Sequence, residues 1–317
     1  MVDSGSIPIS AGGPSKTWSG SVIAAALAAH RLWIEKRPEG KRLDLRAQTL
    51  NDLKLEDADL RGAVLESATL IDADLSGADL SHALLVEADL ERAMATRADL
   101  TAAELTNARL DFAWLTEANL AEAVLHGTSL RRARLARARL HESSLRQAVL
   151  REAEAGGAQF HQAHVLDSDF SSAMLEDAVF YHSSIRLTRF RDARAANANF
   201  SAARIELSDF TGADLAGARF QRAISSHNRF YKANLDGCDF REANLRAADL
   251  TGVRLCGARF GDAVLMQADL RGANLRGARE LTLEQLGVAL TDSTTVLPNG
   301  SRGPYIRGSR AERPGNR

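Results

Sequence analysis

Histidine and tyrosine side chains recur at one position of the sequence, twenty residues apart, and are the first candidates for chemistry. His141, His161 and Tyr181 follow this interval, with Glu142 and His182 directly beside them. Imidazole and carboxylate groups are zinc ligands, so this set has the residue types of a metal site. Zinc ligands must converge on one point, whereas residues repeated on neighbouring strands point in parallel directions. We therefore interpret these residues as surface residues and expect no metal ion and no cofactor.

Patterns typical of enzymes are missing from the sequence. It contains no nucleophile elbow and no phosphate-binding glycine loop. The repeat described below also has no inserted loop from which a pocket with converging polar groups could be built. We therefore expect a binding protein and not an enzyme.

Negatively charged side chains dominate the first part of the chain. Residues 41–130 carry 17 acidic and eight basic side chains, a net of −9, although the formal net charge of the whole chain is only −1. Within this stretch, Asp59, Asp79 and Asp99 follow one another at intervals of twenty residues. We assign eight carboxylates to an acidic binding face: Asp52, Asp57, Asp59, Asp72, Asp74, Asp79, Asp89 and Asp99.

Positively charged side chains follow in a short band. Residues 131–151 contain seven arginines and one glutamate, a net of +6. Single-stranded nucleic-acid sites combine such cations with aromatic residues for base stacking, and this band contains no aromatic residue of its own. Ion pairs with the flanking Glu122, Glu152 and Glu154 explain the arginines more simply. We expect no direct binding of nucleic acid.

A five-residue repeat underlies the intervals of twenty. From Leu45 to Leu275 every fifth residue is a centre, and 40 of these 47 centres are Leu or Phe. The residue two positions before the centre is Ala at 36 of 45 sites between residues 58 and 278. A period of five fits neither an α-helix nor a flat strand. The chain must turn a corner every five residues and stack its coils to bury the centres.

The unit Ala58-Asp59-Leu60-Arg61-Gly62 resembles the A-(D/N)-L-x-x unit of the pentapeptide-repeat family. The resemblance covers about three quarters of the chain without an insertion. It implies an all-β fold, a right-handed quadrilateral parallel β-helix, in which four units form a coil of twenty residues. The central Leu or Phe and the small residue before it face inward in this fold. From Phe160 onward, the ten-residue spacing of Phe predicts aromatic rings on two opposite sides of the core.

An apolar face is the third surface feature that the repeat predicts. Ten apolar residues fall on one outward side if every coil has twenty residues. An apolar stripe on a rigid face indicates contact with another protein or with a second copy. The alternative is that Val and Ile merely favour strands. The residues are Val64, Leu84, Val86, Val124, Leu166, Leu187, Leu207, Ile224, Val264 and Met266.

Stacked coils leave open edges, so we expect a cap at each end. Residues Ser21 to Arg37 predict a helix that ends before Pro38, and Thr282 to Gln285 match a capping box. Leu283, Leu286 and Leu290 are expected to cover the last coil. The predicted segments are a disordered tail (1–18), a capping helix (19–40), the β-helix (41–280), a C-terminal cap (281–300) and a second disordered tail (301–317).

Two functions are considered, and the resemblance implies the first of them. Some family members mimic B-DNA in shape and negative charge, bind DNA gyrase and other type II topoisomerases, and protect against topoisomerase-directed antibiotics. The acidic stretch of this chain suits that role. The alternative is a protein-protein interaction scaffold that uses the apolar and charged faces, which would explain the mixed charges better. The apolar stretch Val22 to Ala29 is too short to span a bilayer, so we expect a cytoplasmic protein with a protein partner, and a homodimer is an open alternative.

Overall fold

The computed structural model of the chain describes residue 18 and residues 20–305. The chain divides into two compact units, Met1–Ala148 and Val149–Arg317, which we call unit 1 and unit 2. Among the described residues, each unit contains stacked coils of twenty residues, and the coils form a right-handed quadrilateral parallel β-helix. The fold class predicted from the five-residue repeat is therefore confirmed.

Backbone hydrogen bonds join residues that are twenty positions apart. In unit 1, Asp59 and Asp79 form a parallel bridge, in which the Leu60 N–H donates to the Asp79 carbonyl over 2.7 Å. The Asp79 N–H in turn donates to the Ala58 carbonyl over 2.9 Å. Unit 2 repeats the pattern, for example between Asp209 and Arg229. Residues twenty apart within a unit therefore share one row of its surface.

The interior of each coil is lined by the central residue and by the small residue two positions before a centre. Leu60 and Ala63 are completely buried, as are nearly all their equivalents in both units. An alanine methyl group leaves room for the large side chains of the adjacent centres, so the summed volume fills the coil. The inward positions are those that the repeat predicted.

A turn with positive φ follows each centre. In unit 1, the Ala63 N–H donates to the Leu60 carbonyl over 2.9 Å, and Gly62 between them has a φ of +65°. The third residue of a type II turn needs such a φ, which favours glycine. Most turns place another residue there, with φ between about 52° and 61°. Each of these turns carries local strain of roughly 1–2 kcal/mol, which stacking of the coils must offset.

Unit 2 contains two columns of stacked phenylalanine rings, as the ten-residue spacing predicted. The ring of Phe200 lies parallel to Phe180 and Phe220, with centroid distances of 4.9 and 5.0 Å. It meets Phe190 and Phe210 of the other column edge-on, at 6.2 and 5.9 Å. The two columns therefore interlock in the favoured stacked and edge-to-face geometries.

Most coil sides are single bridges, and only four are long enough to be regular strands. Unit 1 contains strand β1 (Ser144–Arg146). Unit 2 contains β2 (His164–Leu166), β3 (Ser184–Arg186) and β4 (Arg204–Glu206). In unit 2, β2 pairs with β3 and β3 pairs with β4, both in parallel.

At the corner after β3 and β4, buried side chains replace the usual turn hydrogen bond. The Thr188 N–H donates to Ser208 Oγ over 3.2 Å, and the Ser208 N–H donates to Asn228 Oδ1 over 2.8 Å.

The N-terminal cap is helix α1 (Gly20–Ile34). It ends three residues before the predicted end at Arg37, because a Schellman motif stops it before Pro38 can. Lys36 has a φ of +57°, its N–H donates to the Trp33 carbonyl, and the Arg37 N–H donates to the Leu32 carbonyl over 2.8 Å. No helix among residues 20–305 is long and apolar enough to cross a membrane.

The C-terminal cap begins with the short helix α2 (Leu283–Gly287). Its predicted capping box is confirmed, since the side chains of Thr282 and Gln285 each accept a hydrogen bond from the other's backbone. Leu286 is buried as predicted, but Leu283 and Leu290 are exposed, so the expectation that all three cover the last coil is wrong. Leu290 is exposed because it extends a surface row, pairing with Asp269.

The chain after α2 adds part of one more coil and then reverses. Val296 pairs with Asn274 in parallel and with Arg302 in antiparallel orientation. The antiparallel segment covers an edge to which another coil could otherwise be added. Residues 301–305 and Trp18 belong to the two caps, since the Gly303 N–H donates to Thr295 and Trp18 Nε1 to Gln48. The remainder of both predicted tails lies outside the described residues.

Candidate binding surfaces

The acidic surface of unit 1 is built around one straight row. Asp59, Asp79 and Asp99 occupy successive coils of that row and are linked by parallel bridges. Each carboxylate also accepts a hydrogen bond from the backbone N–H two residues later, that of Arg61 (3.4 Å), Ser81 (3.0 Å) or Thr101 (2.9 Å). These bonds hold the three side chains in one orientation, so the row is preorganised.

Arginine side chains of unit 1 pair with several of the predicted carboxylates. Arg61 binds Asp59 through two nitrogens, at 2.8 and 2.7 Å, and also lies 3.6 Å from Asp79. Arg92 binds Asp72 in the same bidentate manner, at 2.8 and 2.7 Å. The hydrogen bonds from Arg61 and Arg92 lower the pKa values of Asp59 and Asp72, so both stay ionised.

The other predicted acidic residues have more varied surroundings. Asp52 and Asp57 are exposed and occupy turn positions with positive φ. Asp89 pairs with Arg109 at 3.0 Å. Asp74 is buried rather than exposed, because it accepts hydrogen bonds from the Ser76 N–H and from Lys54 and is held beneath them. The prediction of an open carboxylate at residue 74 is therefore corrected.

The arginines that pair with these carboxylates do not remove the excess negative charge. The net charge of −9 for residues 41–130 already counts every basic side chain in that stretch. The 90 residues from 41 to 130 make four and a half coils, or about 22 Å at the usual strand spacing of ~4.8 Å. The net charge of −9 then amounts to one negative charge per ~2.4 Å. Duplex DNA carries one per about 1.7 Å. The net charge density of this stretch is thus roughly two thirds of that of DNA.

The predicted apolar face is interrupted in unit 1. Val64 is only 3% exposed, because its short side chain lies in a row between Asp44 and Leu84, so its assignment to an exposed face is corrected. Leu84, Val86 and Val124 are only partly exposed. The apolar residues of unit 1 therefore do not form an open contact surface.

Unit 2 carries the exposed apolar residues. Leu187 and Leu207 lie on successive coils and are 44% and 51% exposed. Ile224, Val264 and Met266 of the predicted face are also exposed, whereas Leu166 is half-buried. These leucines occupy turn positions with φ of +54° and +53°, where a branched side chain is strained. An exposed and strained leucine contributes little to folding, which favours a role in binding.

Two exposed aromatic residues of unit 1 were missed by the sequence analysis. Phe112 and Trp114 are 43% and 44% exposed. The arginine one coil later covers each ring, with Arg132 5.9 Å from the Phe112 centroid and Arg134 4.1 Å from the Trp114 centroid. The prediction that the arginine band lacks interleaved aromatic residues is therefore wrong, because Phe112 and Trp114 of the preceding coil lie beside its arginines. The interval of twenty residues between each ring and its arginine was the available signal.

The histidine and tyrosine row of unit 2 forms aromatic contacts. The rings of His161 and Tyr181 meet edge-on at 6.3 Å, and Tyr181 also meets His182 edge-on at 4.3 Å. Burial lowers the pKa of His161. Among the described residues, no group of three or more His, Cys, Asp or Glu side chains is placed to hold a metal ion.

The geometry describes two stacks of repeating coils with charged, aromatic and apolar surfaces, which is the construction of a repeat protein that binds partners on its outer faces. The family model of pentapeptide repeats, in eight copies, matches segments that span residues 50–165 and 173–279. The chain therefore belongs to the pentapeptide-repeat family. Proteins of this family are generally structural or binding proteins without catalytic activity.

Several solved structures of this family are similar to the chain. HetL from the cyanobacterium Nostoc, a protein involved in heterocyst differentiation regulation, is 27% identical over 86% of this chain and 97% of its own, with a TM-score of 0.23. QnrB1, a plasmid-mediated fluoroquinolone resistance protein, is 16% identical over 78% and 98%, with a TM-score of 0.28. A protein from the Arabidopsis thaliana thylakoid lumen is 24% identical over 36% and 79%, with a TM-score of 0.19. No curated protein matches the chain.

Proposed function

We propose that the protein is a cytoplasmic DNA mimic that binds DNA gyrase or another type II topoisomerase through the acidic surface of unit 1. By occupying the surface that holds duplex DNA, it would reduce the amount of enzyme trapped on DNA by topoisomerase-directed antibiotics. Protection from such antibiotics follows from this competition. The partner recognises charge and shape, so no catalytic residue of this chain takes part.

The observation that carries the proposal is the dense and ordered negative charge of residues 41–130. Its net charge density is about two thirds of that of duplex DNA. The aspartates at 59, 79 and 99 are fixed by hydrogen bonds to backbone N–H groups. A fixed row of carboxylates loses little side-chain entropy on binding, and it attracts a cationic DNA-binding surface over the Debye length.

Unit 2 lacks this property. Residues 149–280 contain 17 acidic and 17 basic side chains, so their net charge is zero. Their carboxylates pair with arginines in the same manner, as between Arg191 and Asp209 at 2.6 Å. The proposal therefore places topoisomerase binding on unit 1.

The test is a gyrase supercoiling assay with the full chain, in the presence and absence of a topoisomerase poison. The wild-type chain should inhibit supercoiling and reduce poison-stabilised cleavage. The triple variant Asp59→Asn, Asp79→Asn, Asp99→Asn removes three of the nine excess charges. An asparagine oxygen can still accept the backbone hydrogen bonds, so the coil should be retained. Its inhibition should be weaker by about tenfold or more.

Unit 2 supplies a matched control for this variant. Asp209, Asp249 and Asp269 occupy equivalent positions and accept the same type of backbone hydrogen bond, at 2.9, 3.1 and 3.1 Å. Changing these three to asparagine removes the same charge from the neutral unit, and inhibition should persist. Equal loss in both triple variants, or no effect of the wild-type chain, would reject the proposal.

A second candidate is a protein-protein interaction scaffold that uses the apolar surface of unit 2. The specific observation in its favour is the exposure of Leu187 and Leu207 at strained turn positions. An apolar partner surface would cover both side chains. Leu207→Asp should abolish capture of such a partner while leaving gyrase inhibition intact. Loss of gyrase inhibition in this variant would place the topoisomerase on unit 2 instead.

A further inference from the structure

Unit 1 carries a second surface, which shares only Asp72 with the acidic face proposed to bind the topoisomerase. We call it the aromatic–arginine face and define it by Asp72, Arg92, Met94, Phe112, Trp114 and Arg132. Trp114 and its neighbour Met94 share one row, in which they are linked by a parallel bridge. Asp72 and Arg92 belong with Phe112 and Arg132 to a corner row, at intervals of twenty residues. Exposed Trp and Arg side chains are typical of binding hot spots.

We infer that the aromatic–arginine face docks against the same face of a second copy of the chain, in antiparallel orientation. The order of charges along the corner row favours this orientation. This row runs from a carboxylate at Asp72, through Arg92 and the ring of Phe112, to a cation at Arg132. A partner that complements it must present the same series in reverse. A second copy, turned about a two-fold axis parallel to the strands, does so.

The register of such a dimer follows from the twenty-residue coil. We place the two-fold axis midway between the coils of Arg92 and Phe112. Each residue then faces, on the second copy, the residue of the same row that lies equally far beyond the axis. Asp72 then faces Arg132 of the second copy, and Arg92 faces the Phe112 ring. These contacts are an ion pair and a cation–π contact, and two-fold symmetry makes each occur twice.

The central row is complementary in the same register. Met94 faces Trp114 of the second copy, which is a favourable sulfur–aromatic contact. On the other side of the face, Arg97 faces Glu117; within one copy these two already pair at 3.0 Å. A parallel arrangement, with the two-fold axis along the row of Met94 and Trp114, would instead place Arg92 opposite Arg97 and Arg132 opposite Arg137. The antiparallel arrangement is therefore the one that the charges select.

Nucleic acid fits this face less well than a second copy does. Stacking sites for single strands lie in grooves of continuous positive charge. Here Asp111 and Glu117 flank the aromatic residues on the same coil, and Asp72 lies two coils before them. A polyanion would meet all three carboxylates, whereas a second copy places a cation opposite Asp72 and Glu117. Only Asp111 of the three would face a like charge, that of Glu91.

The size of the face sets the strength of the dimer. Four coils at a spacing of ~4.8 Å and a width of about five residues give roughly 19 by 16 Å, or about 300 Å² per copy. Stable interfaces bury about 800 Å² per partner. The dimer should therefore be weak, with a dissociation constant on the order of 100 µM. It should be detectable by sedimentation equilibrium of the full chain at protein concentrations up to about 1 mM.

A charge-swap experiment tests the inference. Asp72→Arg alone and Arg132→Asp alone each place like charges opposite one another twice in the dimer, so each variant should self-associate at least tenfold more weakly. An equimolar mixture of the two variants restores both opposite-charge pairs and should form heterodimers with near wild-type affinity. Thermal unfolding of each variant checks that the coils remain intact.

The inference does not depend on the proposed function, because its readout is mass and not topoisomerase activity. Trp114→Ala should also weaken the dimer, whereas Leu207→Asp in unit 2 should leave it unchanged. A chain that stays monomeric at about 1 mM would overturn the inference, as would a mixture that fails to associate when the wild type does. Binding of a single-stranded oligonucleotide that Arg132→Asp abolishes would also overturn it and assign the face to nucleic acid.

Discussion

The Nδ1 atom of His30 accepts a hydrogen bond of 3.0 Å from the backbone N–H of Leu43, and this bond joins helix α1 to the first coil. The imidazole is fully buried and stacks on the ring of Trp33, with centroids 5.3 Å apart. Nδ1 can accept this bond only in the neutral ring, which carries its proton on Nε2. Burial disfavours the charged form and lowers the pKa of His30 below its usual value of 6.5.

This relationship predicts that the N-terminal cap loosens in acid. Because the folded pKa lies below the unfolded value, the contribution of His30 is fully present above pH 6.5 and is lost as the pH falls through the folded pKa. The urea midpoint of the wild type should therefore fall between pH 7 and pH 5. His30→Gln lacks the titrating ring and should show a smaller fall. Parallel pH profiles for the two proteins would contradict the assignment.

The tight approach of Gly40 to α1 predicts a large effect of a single methyl group. A Cβ atom at residue 40 would lie 2.2 Å from the backbone nitrogen of Trp33, so the helix would have to move. Gly40→Ala should destabilise the protein by about 3 kcal/mol. Gly257→Ala is the matched control, since its Cβ meets nothing within 4 Å and only the φ of +71° opposes it. That control should cost about 1 kcal/mol in urea unfolding, and equal costs would refute the contact.

The interlocked phenylalanine columns predict that unit 2 depends on ring shape as well as on volume. Phe200 stacks between Phe180 and Phe220 and meets the other column edge-on. Phe200→Ala should destabilise the protein by about 3–5 kcal/mol. Phe200→Leu keeps most of the volume and should cost about 1–1.5 kcal/mol, mainly through lost ring contacts. A leucine variant as stable as the wild type would contradict the contribution of the ring contacts.

The leucines at positive φ predict a gain in stability on substitution. Leu207→Gly relieves the strain of a branched residue at φ +53° and removes a side chain that is half in solvent. Allowing for the more flexible unfolded chain, the protein should become more stable by about 0.5–1 kcal/mol. Ala202→Gly, at φ +54°, is the control for strain without an exposed apolar group. A loss of stability in Leu207→Gly alone would mean that Leu207 packs within unit 2.

Sequence reasoning predicted the features that follow from the five-residue period. The inward residues, the coil of twenty residues, the two phenylalanine columns and the Thr282 capping box all depend on local order in the chain. Residues at equal intervals fall in one row, so the row of Asp59, Asp79 and Asp99 could also be predicted. The Schellman end of α1 could not, because it depends on Lys36 adopting a positive φ.

Contacts between coils were predicted less well, because they involve residues eighteen to twenty-one positions apart with flexible side chains. The pairing of Asp72 with Arg92 and the arginines over Phe112 and Trp114 are of this kind. Exposure also depends on the neighbouring side chains in a row. Val64 occupies an outward position of the repeat but is buried beside its row neighbours. The five-residue period alone cannot predict this burial.

The most direct test of the proposed function is displacement of DNA from the enzyme. A labelled duplex bound to gyrase is titrated with the full chain, and its anisotropy is followed at low and at physiological salt. The wild-type chain should displace the duplex, with one molecule of the chain bound per DNA-binding site. Displacement should be weaker at higher salt, because the contact is electrostatic. The triple variant at Asp59, Asp79 and Asp99 should release it poorly, and the unit 2 triple variant normally. Binding to gyrase without release of the duplex would contradict the DNA-mimic account.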